Sequence, residues 1–134
     1  MRVRVLVAIA GLLVSPAHAG DSPCGVALGT WGDSPARCSS IRKGSVGKHD
    51  QGAYMLFKQG RQWEQWEAYC GIEKVRLVNN ICSYRLRCEE EGARSVNQVQ
   101  FQILGPRTIA FAGLDGKYSV RYEFCTSKNL SPLE

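Results

Sequence analysis

The chain has 134 residues, with 17 Lys plus Arg, 12 Asp plus Glu and six Cys, and it is 44% hydrophobic and 22% charged. That is the composition of one ordinary globular domain, and it excludes a disordered chain, a collagen and a coiled coil. The net charge of +5 is modest, so no nucleic-acid partner is expected.

Residues 1–19 read as a removable export signal. MRVR supplies a positive start, VLVAIAGLLV an apolar stretch, and SPAHA a Pro followed by small residues at Ala17 and Ala19, with cleavage expected after Ala19. The apolar stretch is about half the ~20 residues a bilayer-spanning helix needs, and no later stretch approaches that length, so no membrane span is expected. A lipoprotein would carry Cys directly after the cut, where this chain has Gly20 and reaches Cys24 only later. Removing 19 residues from 134 leaves 115, and losing Arg2 and Arg4 lowers the charge from +5 to +3. A periplasmic or secreted protein is expected, with a single domain over 20–125 and a polar tail over 126–134.

Residues 20–50 are rich in Gly, Pro, Ser and Asp, which predicts mostly loop with one short strand at 26–31. From residue 53 onward, short apolar segments alternate with turn residues, the pattern of an antiparallel all-β domain. Strands are predicted at 53–58, 61–70 and 73–78, with Gly60 and Asn79-Asn80 as turns. In 81–88 (ICSYRLRC), Cys82, Tyr84, Leu86 and Cys88 share one face, and Ser83, Arg85 and Arg87 the other, wet face. In 95–104, Val99, Phe101 and Ile103 alternate with Gln98, Gln100 and Gln102. Further strands follow at 108–112 and 117–125, joined by the D-G turn Asp115-Gly116. The pattern predicts a small antiparallel barrel or sandwich of six to seven strands, closed to remove exposed edges.

Cys24, Cys38, Cys70, Cys82, Cys88 and Cys125 all survive cleavage, an even number in a short exported chain, which reads as three disulfides. No C-x-x-C pair is present, so neither a zinc ribbon nor a thioredoxin-like redox pair is available. Chain order and the strand assignment favour Cys38 with Cys70 and Cys88 with Cys125, leaving Cys24 for Cys82.

His18 leaves with the signal and only His49 remains, so no multi-histidine metal site and no imidazole relay is expected. His49 sits in a loop without a nucleophile motif such as G-x-S-x-G and reads as a surface residue. GSVGK at 44–48 lacks the outer residues of a phosphate-binding loop, with Arg42 where Gly is required and His49 where Ser or Thr is required. Arg42, Lys43 and Lys48 then form a solvated basic loop, with contact to an acidic partner as the alternative. No cofactor and no metal are expected.

The most unusual stretch is 61–69 (RQWEQWEAY), which holds two Trp, one Tyr and two Glu. Such side chains suit sugar stacking or a protein-binding anchor. As a strand it points Trp66, Ala68 and Cys70 inward and Trp63, Glu67 and Tyr69 outward. As a helix it aligns Trp63, Trp66 and Cys70 and places Glu64 and Glu67 on one side, where they could flank a glycosidic bond. The strand is favoured, because Gly60 closes a hairpin and the segment ends in β-formers. Either Trp also serves as ordinary barrel core or rim.

Gly29-Thr30-Trp31 followed by Cys38, then Trp66-Glu67-Ala68-Tyr69-Cys70, Tyr84-Arg85-Leu86-Arg87-Cys88-Glu89 and Tyr122-Glu123-Phe124-Cys125, together resemble a set of short secreted Cys-rich bacterial proteins of unknown function. A more distant likeness is to small periplasmic β-barrel inhibitors of secreted proteases. The scarcity of acid–base machinery, the expected exposure of Trp63 and Tyr69 and the basic 42–48 loop point to a non-catalytic binding or inhibitory module. Its partner would be a protein or glycan in the cell envelope or outside the cell, with Trp63, Glu67, Tyr69, Arg42, Lys43 and Lys48 as contact residues. The alternatives are a glycan-directed hydrolase using Glu64 and Glu67, and a purely structural envelope protein.

Overall fold

The computed structural model describes residues 22–44, 54–65, 68–113 and 115–130. The predicted export signal therefore lies outside the described residues. After a short 3-10 turn at Pro23–Gly25 come β1 (Gly29–Gly32), helix α1 (Pro35–Arg42), β2 (Tyr54–Lys58), β3 (Gln62–Gln65) and β4 (Ala68–Val78). They are followed by β5 (Ile81–Glu90), β6 (Ala93–Gly105), β7 (Thr108–Ala112) and β8 (Tyr118–Thr126). Each strand pairs antiparallel with the next, and β8 returns to β1, closing an eight-stranded barrel.

The all-β expectation holds, and the barrel replaces the sandwich, but there are eight strands instead of six or seven. Over 61–78 two strands are expected and two are found, but the boundary between them moves. Instead of strands at 61–70 and 73–78, β3 stops at Gln65, and β4 starts at Ala68 and runs unbroken in sequence to Val78. The pairing Gln65↔Ala68 and Trp63↔Cys70 reverses the chain inside the stretch read as one strand. Reversal also changes parity: Trp63 and Cys70, opposite in a continuous strand, now share the inner face.

The lumen is filled. Trp31, Met55, Phe57, Trp63, Ile72, Tyr84, Leu86, Phe101 and Ile109 form one buried cluster. Phe57, Tyr84 and Phe101 contact edge to face, with ring centroids 5.1 to 6.4 Å apart. Eight strands enclose a space just wide enough for such side chains, and large rings fill it with favourable quadrupole geometry.

Residues 35–42, predicted as loop, form α1. Ser34 accepts a hydrogen bond from the Arg37 amide at 3.1 Å, and Pro35 opens the first turn, where its missing N–H costs nothing. The helix packs outside the barrel, where Cys38 and Ile41 meet Tyr54, Leu56 and Cys125 in a second buried cluster. Strand β2 is thus covered on both faces, which explains why YMLF reads as an uninterrupted apolar run instead of an alternation.

Two of the favoured disulfide pairings are corrected. Cys24 does meet Cys82, but Cys38 bonds Cys125 and Cys70 bonds Cys88. Cys70 and Cys88 lie directly opposite each other on β4 and β5. Cys38 reaches Cys125 because the unforeseen helix lies against β8.

The G-T-W-G run has a packing reason at each glycine. Gly29 has φ 137°, and a side chain there would run into the Thr126 carbonyl. A Cβ at Gly32 would crowd Cys125 Sγ and Ile41. Between them Trp31 enters the lumen and donates from Nε1 to the Ala27 carbonyl at 3.1 Å.

Candidate functional site

Strand register decides which side chains reach the surface of β3, β4 and β5. Trp63, Cys70 and Cys88 align on the inner face, so Glu64, Tyr69 and Glu89 align on the outer face, followed by Gly71 and Arg87. These outer residues, with Gly60 and Arg61 from the β2–β3 turn and Glu73 beyond the register, line a cleft of about 550 Å³. Gly71 helps form its floor, since no atom lies within 4 Å of where its Cβ would stand.

The cleft is charged, and its described carboxylates are all engaged. Glu64 Oε1 lies 2.9 Å from Lys58 Nζ, and Glu73 bonds Arg87 Nη2 at 2.7 Å and approaches Arg85 Nε at 3.6 Å. Glu89 pairs with Arg94 at 3.4 Å. Arg61 makes no ion pair among the described residues, and its backbone is in the left-handed region at φ 57°. Its carbonyl accepts from the Ile72 amide at 2.8 Å, which fixes the turn against β4. No group of three or more metal-ligating side chains is present among the described residues.

Beside the cleft, Tyr54 is fully buried, and its hydroxyl has no hydrogen-bond partner among the described residues. Burial pushes its pKa up to about 12, and negative charge at Tyr69 and Glu64 adds to the effect. In the lumen, Tyr84 donates to the Pro23 carbonyl, tying the 3-10 turn to β5. Burial raises its pKa to about 12, partly opposed by a hydrogen bond with Ser22 and by the charge of Arg61. Burial also raises that of Tyr122, with Asp33 contributing.

Of the sequence-predicted contact residues that fall among the described residues, only Tyr69 stands in this cleft, at 41% exposure. Trp63, expected on the outside, is 6% exposed and belongs to the lumen, because of the strand reversal described above. Arg42 ends α1, where its Nε donates to the Cys125 carbonyl at 2.9 Å, and Lys43 is the exposed residue that caps the helix. Both belong to the α1–β8 side and not to the cleft. Glu67, Trp66, Lys48 and His49 lie outside the described residues. Arg61, Glu73 and Arg87 were not singled out as site residues. The signal for Arg87 was present in the wet face of 81–88; Arg61 and Glu73 join it only through the β4 register. Comparison with protein-family models, curated proteins and solved structures finds no match to this chain.

Proposed function

We propose that this is an exported, non-catalytic binding module that engages a protein partner through the charged cleft around Tyr69. The carrying observation is the state of that cleft: Glu64, Glu73 and Glu89 are each matched by a cation, while Tyr69 stands out of the barrel wall. Carboxylates engaged in ion pairs with Lys and Arg suit electrostatic complementarity more than proton transfer, and an exposed Tyr offers rigid area with a polar tip. The filled lumen supports the same reading, since a ligand has to dock on the outside. Export rests on the composition of residues 1–19 and on three disulfides, which persist in oxidising compartments. The glycan-hydrolase alternative is weakened by Glu64, which is buried and paired with Lys58.

The test is affinity capture from periplasmic extract and culture supernatant with the oxidised protein, alongside Tyr69→Ala and Arg87→Glu variants. A specific protein retained by the wild type should be lost from both variants, with near-UV circular dichroism confirming the fold because Arg87→Glu also breaks the pair with Glu73. Trp63→Ala is the wrong probe, because emptying its lumen position costs about 3 to 5 kcal/mol. Undiminished capture by both variants, or no specific capture by the wild type, would defeat the proposal.

A further inference from the structure

Among the described residues the barrel leaves parts of two strand edges uncovered, on β4 beyond Gly71 and on β6 before Phe101. Strand β6 pairs with β5 from Ala93 to Gln102, but with β7 only from Phe101 onward. Residues 93–99 therefore have no strand on their second side among the described residues. Every residue from 91 to 98 is exposed, with Val96 at 53%.

The direction of the main chain on this edge follows from two observations. The Ile103 amide donates to the Asn80 carbonyl at 2.8 Å, which lies on the β5 side. Ala93 is opposite Glu90 across the two-residue turn, the position that exchanges hydrogen bonds in such hairpins. Alternation from either end assigns the odd-numbered residues to β5. Arg94, Val96 and Gln98 then point both N–H and C=O away from the barrel.

Natural edges are usually defended by Lys, Pro, bulges or covering segments. The free part of β4 shows such devices. A bulge lies between Ile72 and Lys74, Lys74 and Arg76 are exposed, and the Pro23–Gly25 turn is stapled nearby by Cys24–Cys82. The 93–99 segment carries neither Pro nor Lys, its register with β5 has no bulge, and its one cation, Arg94, is engaged by Glu89.

We propose that this edge is a homodimer interface, in which β6 of one copy pairs antiparallel with β6 of a second copy around a two-fold axis through Val96. A self-complementary patch is what a two-fold interface requires, and this register supplies one. Val96 faces its own counterpart, and Arg94 faces Gln98 of the other copy, so no like charges stand directly opposite. The three outward residues of each copy all fall at hydrogen-bonded positions, so three donors from each side give six N–H···O bonds. A shift of two residues in either direction leaves one outward residue of each copy without a partner among these three. The contact is formed by main chain, with the exposed Val pair at its centre. The inference does not depend on the reading of the cleft.

The test is sedimentation equilibrium of the purified oxidised protein over a concentration series, with backbone amide exchange by NMR. The wild type should dimerise, and the amides of Arg94, Val96 and Gln98 should become protected as concentration rises. Val96→Lys brings two ammonium groups together on the axis, and Val96→Pro removes an N–H that the barrel does not use. Each should weaken the dimer at least about tenfold. Near-UV circular dichroism reports that the barrel is intact, and Val96→Lys decides the matter if Val96→Pro fails to fold. A wild type that stays monomeric at its highest soluble concentration overturns the proposal. So does a dimer that leaves those three amides unprotected or that tolerates Val96→Lys.

Discussion

At the scale of single residues, burial decides chemistry more than residue type does. Tyr54, Tyr84 and Tyr122 share one physical situation: each holds its phenol away from water, which disfavours the phenolate. Their folded pKa values lie above the ordinary value of 10, with Tyr54 and Tyr84 near 12. The unfolded chain therefore releases these protons first as pH rises. Stability contributed by the neutral phenols is complete below pH 10 and is lost progressively toward pH 12. Ultraviolet titration should show these phenols ionising late in the native protein and near 10 in denaturant. Urea midpoints should fall steadily above pH 10, and a flat stability profile through that window would contradict the burial argument. Trp63 teaches the same lesson in reverse. Its aromatic, acidic neighbourhood suggested a surface anchor, yet one strand reversal at 65–68 puts it in the lumen.

Among secondary elements, α1 shows a local signal outweighed by composition. Ser34-Pro35 is a good helix start, but the surrounding Gly, Ser and Asp content argued for loop. What stabilises so short a helix is tertiary: Cys38 and Ile41 pack on the β2 and β8 surface, and Cys38 is bonded to Cys125. Ser34→Ala removes the cap and should cost about 1 kcal/mol in urea unfolding, with faster exchange at the Arg37 amide. No change in either quantity would show that the bridge alone holds the helix. The hairpins were easier to read. Asn79-Asn80 joins β4 to β5, with Asn79 at φ 54°, and Glu91-Gly92 joins β5 to β6, with both residues at positive φ. The alternation of 81–88 survives intact because that strand pairs on both sides along its length.

For the whole molecule, closure of the sheet and the three bridges act together on a core of modest size. The bridges span 58, 87 and 18 residues, and chain-entropy reasoning ranks them by that span. Replacing each pair by Ala should cost about 3 to 5 kcal/mol, most for Cys38–Cys125 and least for Cys70–Cys88. Strands β4 and β5 are also joined by their own backbone ladder beside the Cys70–Cys88 bridge, whereas α1 and the 3-10 turn are each anchored covalently by theirs. Urea midpoints of the three double variants test the order, and the largest loss at Cys70–Cys88 would refute it.

The all-β class, most strand positions, the turns and the presence of three bridges were legible because they depend on neighbours within a few residues: alternation, turn chemistry and an even Cys count. The boundary between β3 and β4, the pairing of Cys38 with Cys125 and of Cys70 with Cys88, and the grouping of Tyr69 with Glu64, Glu73, Arg61 and Arg87 were decided only by the tertiary structure. Each depends on register or on which elements become neighbours around a closed sheet. Those relations are fixed by filling the lumen and covering β2, and both draw on side chains far apart in the chain.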